Sequence, residues 1–155
     1  MARIESSIVV SKSVEDTFAF LNKLESHLKF IPNMVELNQT SAGSFGRVST
    51  TMEGALGYFG IRLPVQYELI EHQPNKALAM KGTLGPMLFK DGYVLSTSGN
   101  GTQIKFWLEL SLTGITKLLT PFTGLIGKIH AYETLNNLKN ALEIYEPSLA
   151  ILDER

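Results

Sequence analysis

Two small groups of side chains in this sequence could take part in chemistry. His130 and Glu133 are one helical turn apart, and an imidazole beside a carboxylate could act as a general base, since free histidine titrates near about 6.5. The same spacing is common among ordinary exposed pairs on helices, and we favour that interpretation. A metal site normally needs three or four protein ligands, so this pair does not indicate one.

Asp91 is the second candidate, because strict alternation from Phe89 to Tyr93 would direct its side chain into an apolar interior. A buried carboxylate without a partner is costly, so it needs a hydrogen-bond donor or a raised pKa, and acids of this kind are often functional. Gly92 offers a simpler explanation, since a β-bulge at a glycine would turn Asp91 outward. We therefore predict a bulge here.

The stronger signatures of catalysis are missing from the sequence. It contains no Gly-rich phosphate loop, no Gly-x-Ser-x-Gly turn, no paired-carboxylate motif and no cysteine nucleophile. We therefore assign no catalytic residue, no metal and no cofactor. A non-catalytic role is favoured, and an enzymatic one is kept open.

Length and composition are typical of one globular domain. The chain has 155 residues, 44% of them hydrophobic, and its formal net charge of -1 argues against nucleic acid as a partner. The absence of cysteine excludes disulfides and thiolate metal sites. The N-terminus lacks the pattern of a secretory signal and no apolar run approaches the roughly 20 residues that span a bilayer, so we expect a cytoplasmic protein. We predict a single domain over residues 1–146 and a tail over 147–155.

The first part of the chain predicts one strand and two short helices. Residues 3–10 alternate between an apolar and a polar face, as in a half-buried strand. Ser13 then stands at the N-cap position of a helix, and a second helical segment should end before Pro32.

Strand patterns dominate the middle of the chain. We predict strands over 35–40 and 47–53, and then a loop over 54–60 that carries Tyr58 and Phe59. Four further strands follow, separated by turns that are rich in glycine, proline and asparagine.

The last part of the chain has helical spacing and must bury an apolar stripe against the sheet. A hinge containing Gly114, Pro121 and Gly124 precedes this helix. The apolar side of residues 115–129 diverges from the stripe, so the helix should either start late or kink near Gly127. The spacing predicts a stripe of Leu125, Ile129, Tyr132, Leu135, Leu138, Leu142 and Tyr145.

The order of the elements is one β, two short α, about six β and a long α, and it resembles the helix-grip fold of the SRPBCC superfamily, which includes START and Bet v 1-like proteins and polyketide cyclases and dehydratases. The resemblance implies an α+β fold in which a curved antiparallel sheet of about seven strands holds the terminal helix. Residues 54–60 followed by 65–71 are also similar to carbon monoxide dehydrogenase G-like proteins. The superfamily resemblance rests on Ser13, Val14, Glu15 and Phe18 after the first strand, on Gly101 and Thr102 before the strand 104–110, and on Leu135, Leu138, Lys139, Leu142 and Glu143.

A fold of this kind implies an apolar cavity between sheet and helix. Each side chain that would line it could also be solid core, and Tyr58 and Phe59 could either close over a ligand at the mouth or plug the end of the sheet. The predicted ligand contacts are Met52, Tyr58, Phe59, Leu63, Tyr67, Met80, Phe89, Tyr93, Phe106, Leu108 and His130.

The predicted function is the binding, with transport as one form of it, of a small hydrophobic or amphipathic ligand such as a lipid, a quinone or a polyketide-like compound. One alternative is an enzyme of the cyclase or dehydratase type that uses His130, Tyr67 or Asp91 as acid or base. Another is docking at a membrane or an enzyme complex through Ile115 to Ile129, since surplus apolar surface marks contact sites. The sequence does not indicate an oligomeric state.

Overall fold

One seven-stranded antiparallel sheet and the helices packed against it make up the computed structural model, which describes residues 3–144. The strand order β1-β7-β6-β5-β4-β3-β2 confirms the predicted α+β helix-grip fold, with two short helices and a long C-terminal one. Tyr145 and the predicted tail over 147–155 lie outside the described residues. The elements are β1 (Arg3–Val10), α1 (Val14–Leu21), α2 (Leu24–Phe30), β2 (Met34–Gln39), β3 (Thr51–Tyr58), β4 (Ile61–Gln73), β5 (Ala77–Leu84), β6 (Met87–Ser98), β7 (Gly101–Leu112), a 3-10 helix (Gly114–Leu119) and α3 (Thr120–Glu143).

Alternation of apolar residues places one side of the sheet in the core. In β4, Val65, Tyr67 and Leu69 are buried, whereas Gln66 between them is exposed, as period-two alternation predicts. We call the side that faces the helices the inner face and the opposite side the outer face. Cross-strand pairing carries this assignment from strand to strand, for example from Tyr67 to Gly82 and on to Phe89.

The helices cover the two margins of the inner face. The Ser13 hydroxyl accepts a hydrogen bond from the backbone N–H of Asp16 at 3.1 Å, which confirms the predicted N-cap of α1. Helix α2 ends at Phe30, before Pro32 as predicted, and packs against β2, while α3 lies against β1 and β7. Within residues 3–144, no helix has both the length and the hydropathy needed to cross a bilayer.

The predicted strand over 47–53 and the predicted loop over 54–60 are wrong in their boundaries. Strand β3 begins only at Thr51 and continues through two glycines to Tyr58. Glycine suits the strand at Gly54, because a Cβ there would stand 2.4 Å from the backbone oxygen of Glu36. The turn consists of Phe59 and Gly60, whose φ angles of 52° and 79° allow a two-residue hairpin.

Helix α3 is continuous from Thr120 to Glu143, so the predicted hinge at Gly124 and the late start are both wrong. Pro121 stands in its first turn, where its missing N–H costs nothing. The N-terminal half of the predicted stripe is also wrong. The exposed fractions of Leu125, Ile129 and Tyr132 are 64%, 51% and 68%, whereas Leu135, Leu138 and Leu142 are buried as predicted.

Close contact between α3 and β1 explains this difference. A Cβ at Gly127 would stand 2.1 Å from Ile4 Cδ1, so the helix approaches the sheet more closely than large side chains would allow. Small residues therefore face the sheet in this half of the helix, among them Gly127, Ala131 and Thr134, which are all buried. The larger apolar residues point away from the sheet.

Replacing Gly124 by Ala tests the continuity of α3. A Cβ at Gly124 meets no atom within 4 Å, so we expect Gly124→Ala to raise the free energy of unfolding by about 0.5–1 kcal/mol, because alanine favours the helix. The matched control is Gly114→Ala, which should lower it by about 1–2 kcal/mol, since Gly114 has a φ of +64°. Urea unfolding measures both values. A loss of stability in Gly124→Ala would contradict a regular helix at this position.

Candidate functional site

Most of the predicted ligand contacts come together on the inner face of the sheet. His130 reaches the same surface from α3, where it is half-buried with its ring centroid 6.4 Å from that of Phe106. Two further aromatic pairs, Tyr67 with Phe89 and Tyr93 with Phe106, have ring centroids 5.2 Å apart. The buried predicted contacts are Met52, Tyr67, Met80, Phe89, Tyr93, Phe106 and Leu108.

The other three predicted contacts lie apart from this group, at the tip of the β3–β4 hairpin. Tyr58 and Leu63 are partly exposed, and Phe59 is fully exposed. Gln66 near the start of β4 pairs with Thr83 near the end of β5, Leu84 pairs with Met87, and Met87 pairs with Leu112. The tip therefore lies at the same end of the sheet as the end of β7. Tyr58, Phe59 and Leu63 therefore lie at the same end of the sheet as the start of α3.

A cavity of about 460 Å³ opens between the end of β7 and the start of α3. It lies at the end of the sheet where the inner face is no longer covered, and we call it the mouth. The sequence does not predict the residues of the mouth, because the predicted stripe places large apolar side chains, such as Leu125 and Ile129, on the side of α3 that faces the sheet. The residues that line it include Leu110, Leu112, Lys117, Pro121, Thr123 and Gly124.

A second cavity, of about 560 Å³, lies mainly on the outer face and has a different character. Met52, Tyr67 and Phe89 border it, but most of its lining comes from outward-facing residues, five of which are charged. One pair of these, Lys81 and Glu68, has its charged atoms 3.4 Å apart. Because seven of the predicted ligand contacts are buried on the inner face, we place the candidate site there and at the mouth that opens beside it.

Asp91 points into the inner face, so the predicted bulge at Gly92 is wrong. Asp91 pairs with Met80 on one side and Leu108 on the other, and neither ladder shifts register there. Gly92 lies on the outer face beneath Trp107, whose indole nitrogen would be 2.6 Å from a Cβ at that position. Because Trp107 leaves room only for glycine on the outer face, Gly92 faces outward and Asp91 faces inward.

The carboxyl group of Asp91 is enclosed by apolar surroundings. Its Oδ1 is buried and has no hydrogen-bond partner among the described residues. Burial raises the pKa of Asp91 from its usual 3.8 to about 7. Burial also raises the pKa values of Tyr67 and Tyr93, and the nearby charge of Asp91 raises them further.

His130 and Glu133 form neither the general-base pair considered as an alternative nor the exposed pair that we favour from the sequence. Glu133 is exposed while His130 turns toward Phe106, and within residues 3–144 neither a hydrogen bond nor an ion pair joins the two. Burial lowers the pKa of His130. It also lowers the pKa of His27 to about 4, and the Nε2 of that ring lies 2.8 Å from the backbone oxygen of Leu21, which indicates a structural role. The described part of the chain contains no group of three metal-ligating side chains.

The raised pKa of Asp91 predicts a change in stability with pH. The folded protein holds this proton up to about pH 7, whereas the unfolded chain releases it near 3.8. Stability from this group therefore falls as pH rises between these values, by about 1.4 kcal/mol per unit at most. His27 acts in the opposite direction, because its folded pKa of about 4 lies below its ordinary 6.5, so stability is lost on acidification between 6.5 and 4.

Asp91→Asn should remove the contribution of Asp91 to the pH dependence of the free energy of unfolding and leave the opposing contribution of the histidines. Burial lowers the pKa values of both His27 and His130, so we expect the variant to lose stability on acidification between about pH 6.5 and about pH 4, and the wild type to lose less because Asp91 opposes the two histidines. Above about pH 7 the variant should be the more stable by a few kcal/mol. Urea unfolding at several pH values measures this, with Glu133→Gln as a control at an exposed acid. Parallel curves for wild type and Asp91→Asn would show that Asp91 titrates normally.

Solved structures from several sources share this fold. A protein described as TTHA0849 from Thermus thermophilus aligns over 91% of this chain and 97% of its own, with a TM-score of 0.71 and 15% identity. The Zhui aromatase/cyclase from Streptomyces sp. R1128 aligns over 92% of this chain and 93% of its own, with a TM-score of 0.77 and 10% identity. At these identities the similarity shows the fold alone.

Comparison of sequences shows which family this fold represents here. No curated protein matches the sequence. A family model described as "Polyketide cyclase / dehydrase and lipid transport" matches residues 1–143, which is nearly the whole chain. This match confirms the resemblance to the superfamily of polyketide cyclases and Bet v 1-like proteins, while the narrower similarity to carbon monoxide dehydrogenase G-like proteins is not confirmed. The chain therefore belongs to the polyketide cyclase, dehydrase and lipid transport family.

Proposed function

We propose that the protein binds a small hydrophobic or amphipathic ligand between the inner face of its sheet and α3. Membership of the family supports a hydrophobic ligand-binding or cyclase role. The observation that carries the proposal is the mouth, where an apolar inner face meets an uncovered cavity of about 460 Å³. Cavities of roughly 300–1,000 Å³ with mainly apolar walls are typical of small-molecule sites.

The path of such a ligand follows the apolar residues of the inner face. Leu110 lines the mouth, and Leu108, two residues along the same strand and on the same side, is buried beside Asp91. A ligand bound at the mouth would contact Leu110, and it would reach the aromatic group beyond by displacing side chains that are packed in the core. A lipid, a quinone or a polyketide-like compound has the apolar body that these contacts require.

Binding is favoured over catalysis because the polar groups of the interior are not connected. Within residues 3–144, no hydrogen bond links Asp91, Tyr67, Tyr93 or His130 to one another. General acid–base catalysis needs a donor and an acceptor in hydrogen-bond reach of each other or of a substrate, and often a third group that orients them. A cyclase or dehydratase would use His130, Tyr67 or Asp91 as its acid or base.

Filling the mouth should prevent binding. Gly124 lines it, and the open space at its Cβ position means that Gly124→Phe would place a ring in the cavity. We expect this variant to bind Nile red, a neutral apolar dye, at least about tenfold more weakly than the wild type, whereas Gly124→Ala should bind it unchanged. Fluorescence titration measures both. Absence of dye binding by the wild type, or equal binding by all three proteins, would contradict a ligand site at the mouth.

We propose as a second function that the protein docks peripherally on an anionic membrane. The supporting observation is the outward apolar side of the 3-10 helix and the first half of α3. Every large apolar residue on this surface is exposed, although a water-soluble helix would normally be polar there. We call this surface the docking face, and it consists of Ile115, Leu118, Leu119, Phe122, Leu125, Ile126 and Ile129.

The charges around the docking face favour an anionic lipid surface as its partner. Between Leu110 and Tyr132 the only Lys, Arg, Asp or Glu residues are Lys117 and Lys128. Phe59 lies at the same end of the sheet, fully exposed and at a positive φ that is unusual for an aromatic residue. Apolar side chains with flanking lysines are the pattern of interfacial membrane binding.

A double substitution on the docking face tests this second function. Leu118→Asp with Phe122→Asp should abolish co-sedimentation with vesicles that contain phosphatidylglycerol, because it removes apolar contacts and adds negative charge. Wild-type binding should be roughly thirtyfold weaker to pure phosphatidylcholine, since each lysine contributes about 1 kcal/mol at an anionic surface. Val48→Asp, at an exposed apolar residue elsewhere, is the control. Retained vesicle binding by the double variant, or a wild-type protein that dimerises instead of binding vesicles, would contradict it.

A further inference from the structure

We infer that Asp91 is the polar anchor of the ligand site, and that it selects an apolar molecule which carries a hydroxyl or amine donor and no negative charge. This inference rests on the proposed ligand-binding function and specifies the chemistry of the ligand. It is carried by the position of one carboxyl group and by the absence of cations around it among the described residues.

Regular strand pairing and close packing on the outer face hold Asp91 on the ligand side of the sheet. It lies in the middle of β6 with regular pairing to β5 and β7, so neither neighbour allows it to turn. Rotation of the strand would bring Gly92 inward and would break the contact of its backbone with Trp107. The carboxyl group is therefore held among the apolar side chains of the inner face.

Asp91 can accept a hydrogen bond that no group within residues 3–144 donates. Its Oδ1 is buried and has no partner, although burial of an unpaired carboxyl oxygen is unfavourable. The whole residue keeps an exposed fraction of 9%, and its neighbour on the inner face, Phe89, keeps the same fraction. Because Oδ1 itself is buried, a ligand atom would reach it only as the neighbouring side chains of the inner face move aside.

Asp91 has no cationic side chain among the buried residues around it. The buried polar and charged side chains of residues 3–144 are Thr17, Ser26, His27, Thr50, Asp91, Thr102 and Thr134, so they include neither lysine nor arginine. The titratable groups that face this interior are Tyr67, Tyr93, His27 and His130, and burial favours the neutral form of each. A carboxylate or phosphate group placed beside Asp91 would find no lysine or arginine among these buried side chains and would lie close to an acid, since Lys117 lines the mouth instead. A hydroxyl or an amine would instead donate the hydrogen bond that Oδ1 lacks.

Three molecules with the same ten-carbon chain separate these cases: 1-decanol, decylamine and decanoate. Each is titrated against the protein loaded with Nile red, and displacement of the dye gives the relative affinities at one fixed pH. We expect decanol and decylamine to bind at least about tenfold more tightly than decanoate. This comparison uses the wild type alone and does not depend on a variant that might unfold.

Asp91→Asn then tests the residue itself, with Glu133→Gln as the control at an exposed acid. We expect the Asn variant to lose about tenfold or more in affinity for decylamine and to discriminate less against decanoate, while the control matches the wild type. If Nile red binds but decanoate competes as well as decanol, the anchor is wrong and the proposed ligand site stands. The anchor is equally wrong if Asp91→Asn leaves all three affinities unchanged. If Nile red does not bind the wild type, the proposed function fails, and the anchor fails with it.

Discussion

The close approach of α3 to β1 at Gly127 determines the arrangement of the candidate site. A Cβ at this position would stand 2.1 Å from Ile4 Cδ1, so any larger residue there would require the Ile4 side chain to move. The helix lies against the β1 and β7 margin of the sheet. With the helix in this position the mouth opens at the end of β7, and the large apolar side chains of the first half of α3 are exposed. The proposed ligand site and the docking face thus have one common cause.

The interior combines efficient packing with one unfavourable group. The aromatic and aliphatic residues of the inner face pack into a single cluster with the helices, which supplies most of the driving force for folding. Asp91 lies within that surface at an energetic cost, since an apolar residue of similar size would be more stable there. A residue that opposes stability in the middle of a central strand is typical of a functional site. The cost is more readily understood if the group contacts a ligand than if it only packs.

Much of the fold could be predicted from local sequence signals, whereas the details of the site could not. Ser13 and Pro32 mark helix boundaries through chemistry confined to a few neighbouring residues, and both predictions are confirmed. The start of β3 could not be predicted in this way. Glycine fits the strand at Gly54 because the backbone of β2, which is distant in sequence, lies too close for a side chain. Similarly, a bulge at Gly92 satisfies every local rule, and only the registers of two neighbouring strands together exclude it. The residues of the mouth could not be predicted, because they are set by the distance between α3 and the sheet, and hydrophobic periodicity gives no information on that distance.

The pairing of the first strand with the last has a consequence for biosynthesis. In β1, Arg3 pairs with Glu109 and Val10 with Thr102, so the N-terminal strand finds its partner only after more than half of the chain has followed it. During translation β1 must remain unpaired while the hairpins from β2 to β6 can already form, because each of these needs only its immediate neighbour. The emerging chain therefore exposes an apolar strand edge for much of its synthesis, which is the situation in which molecular chaperones are most useful.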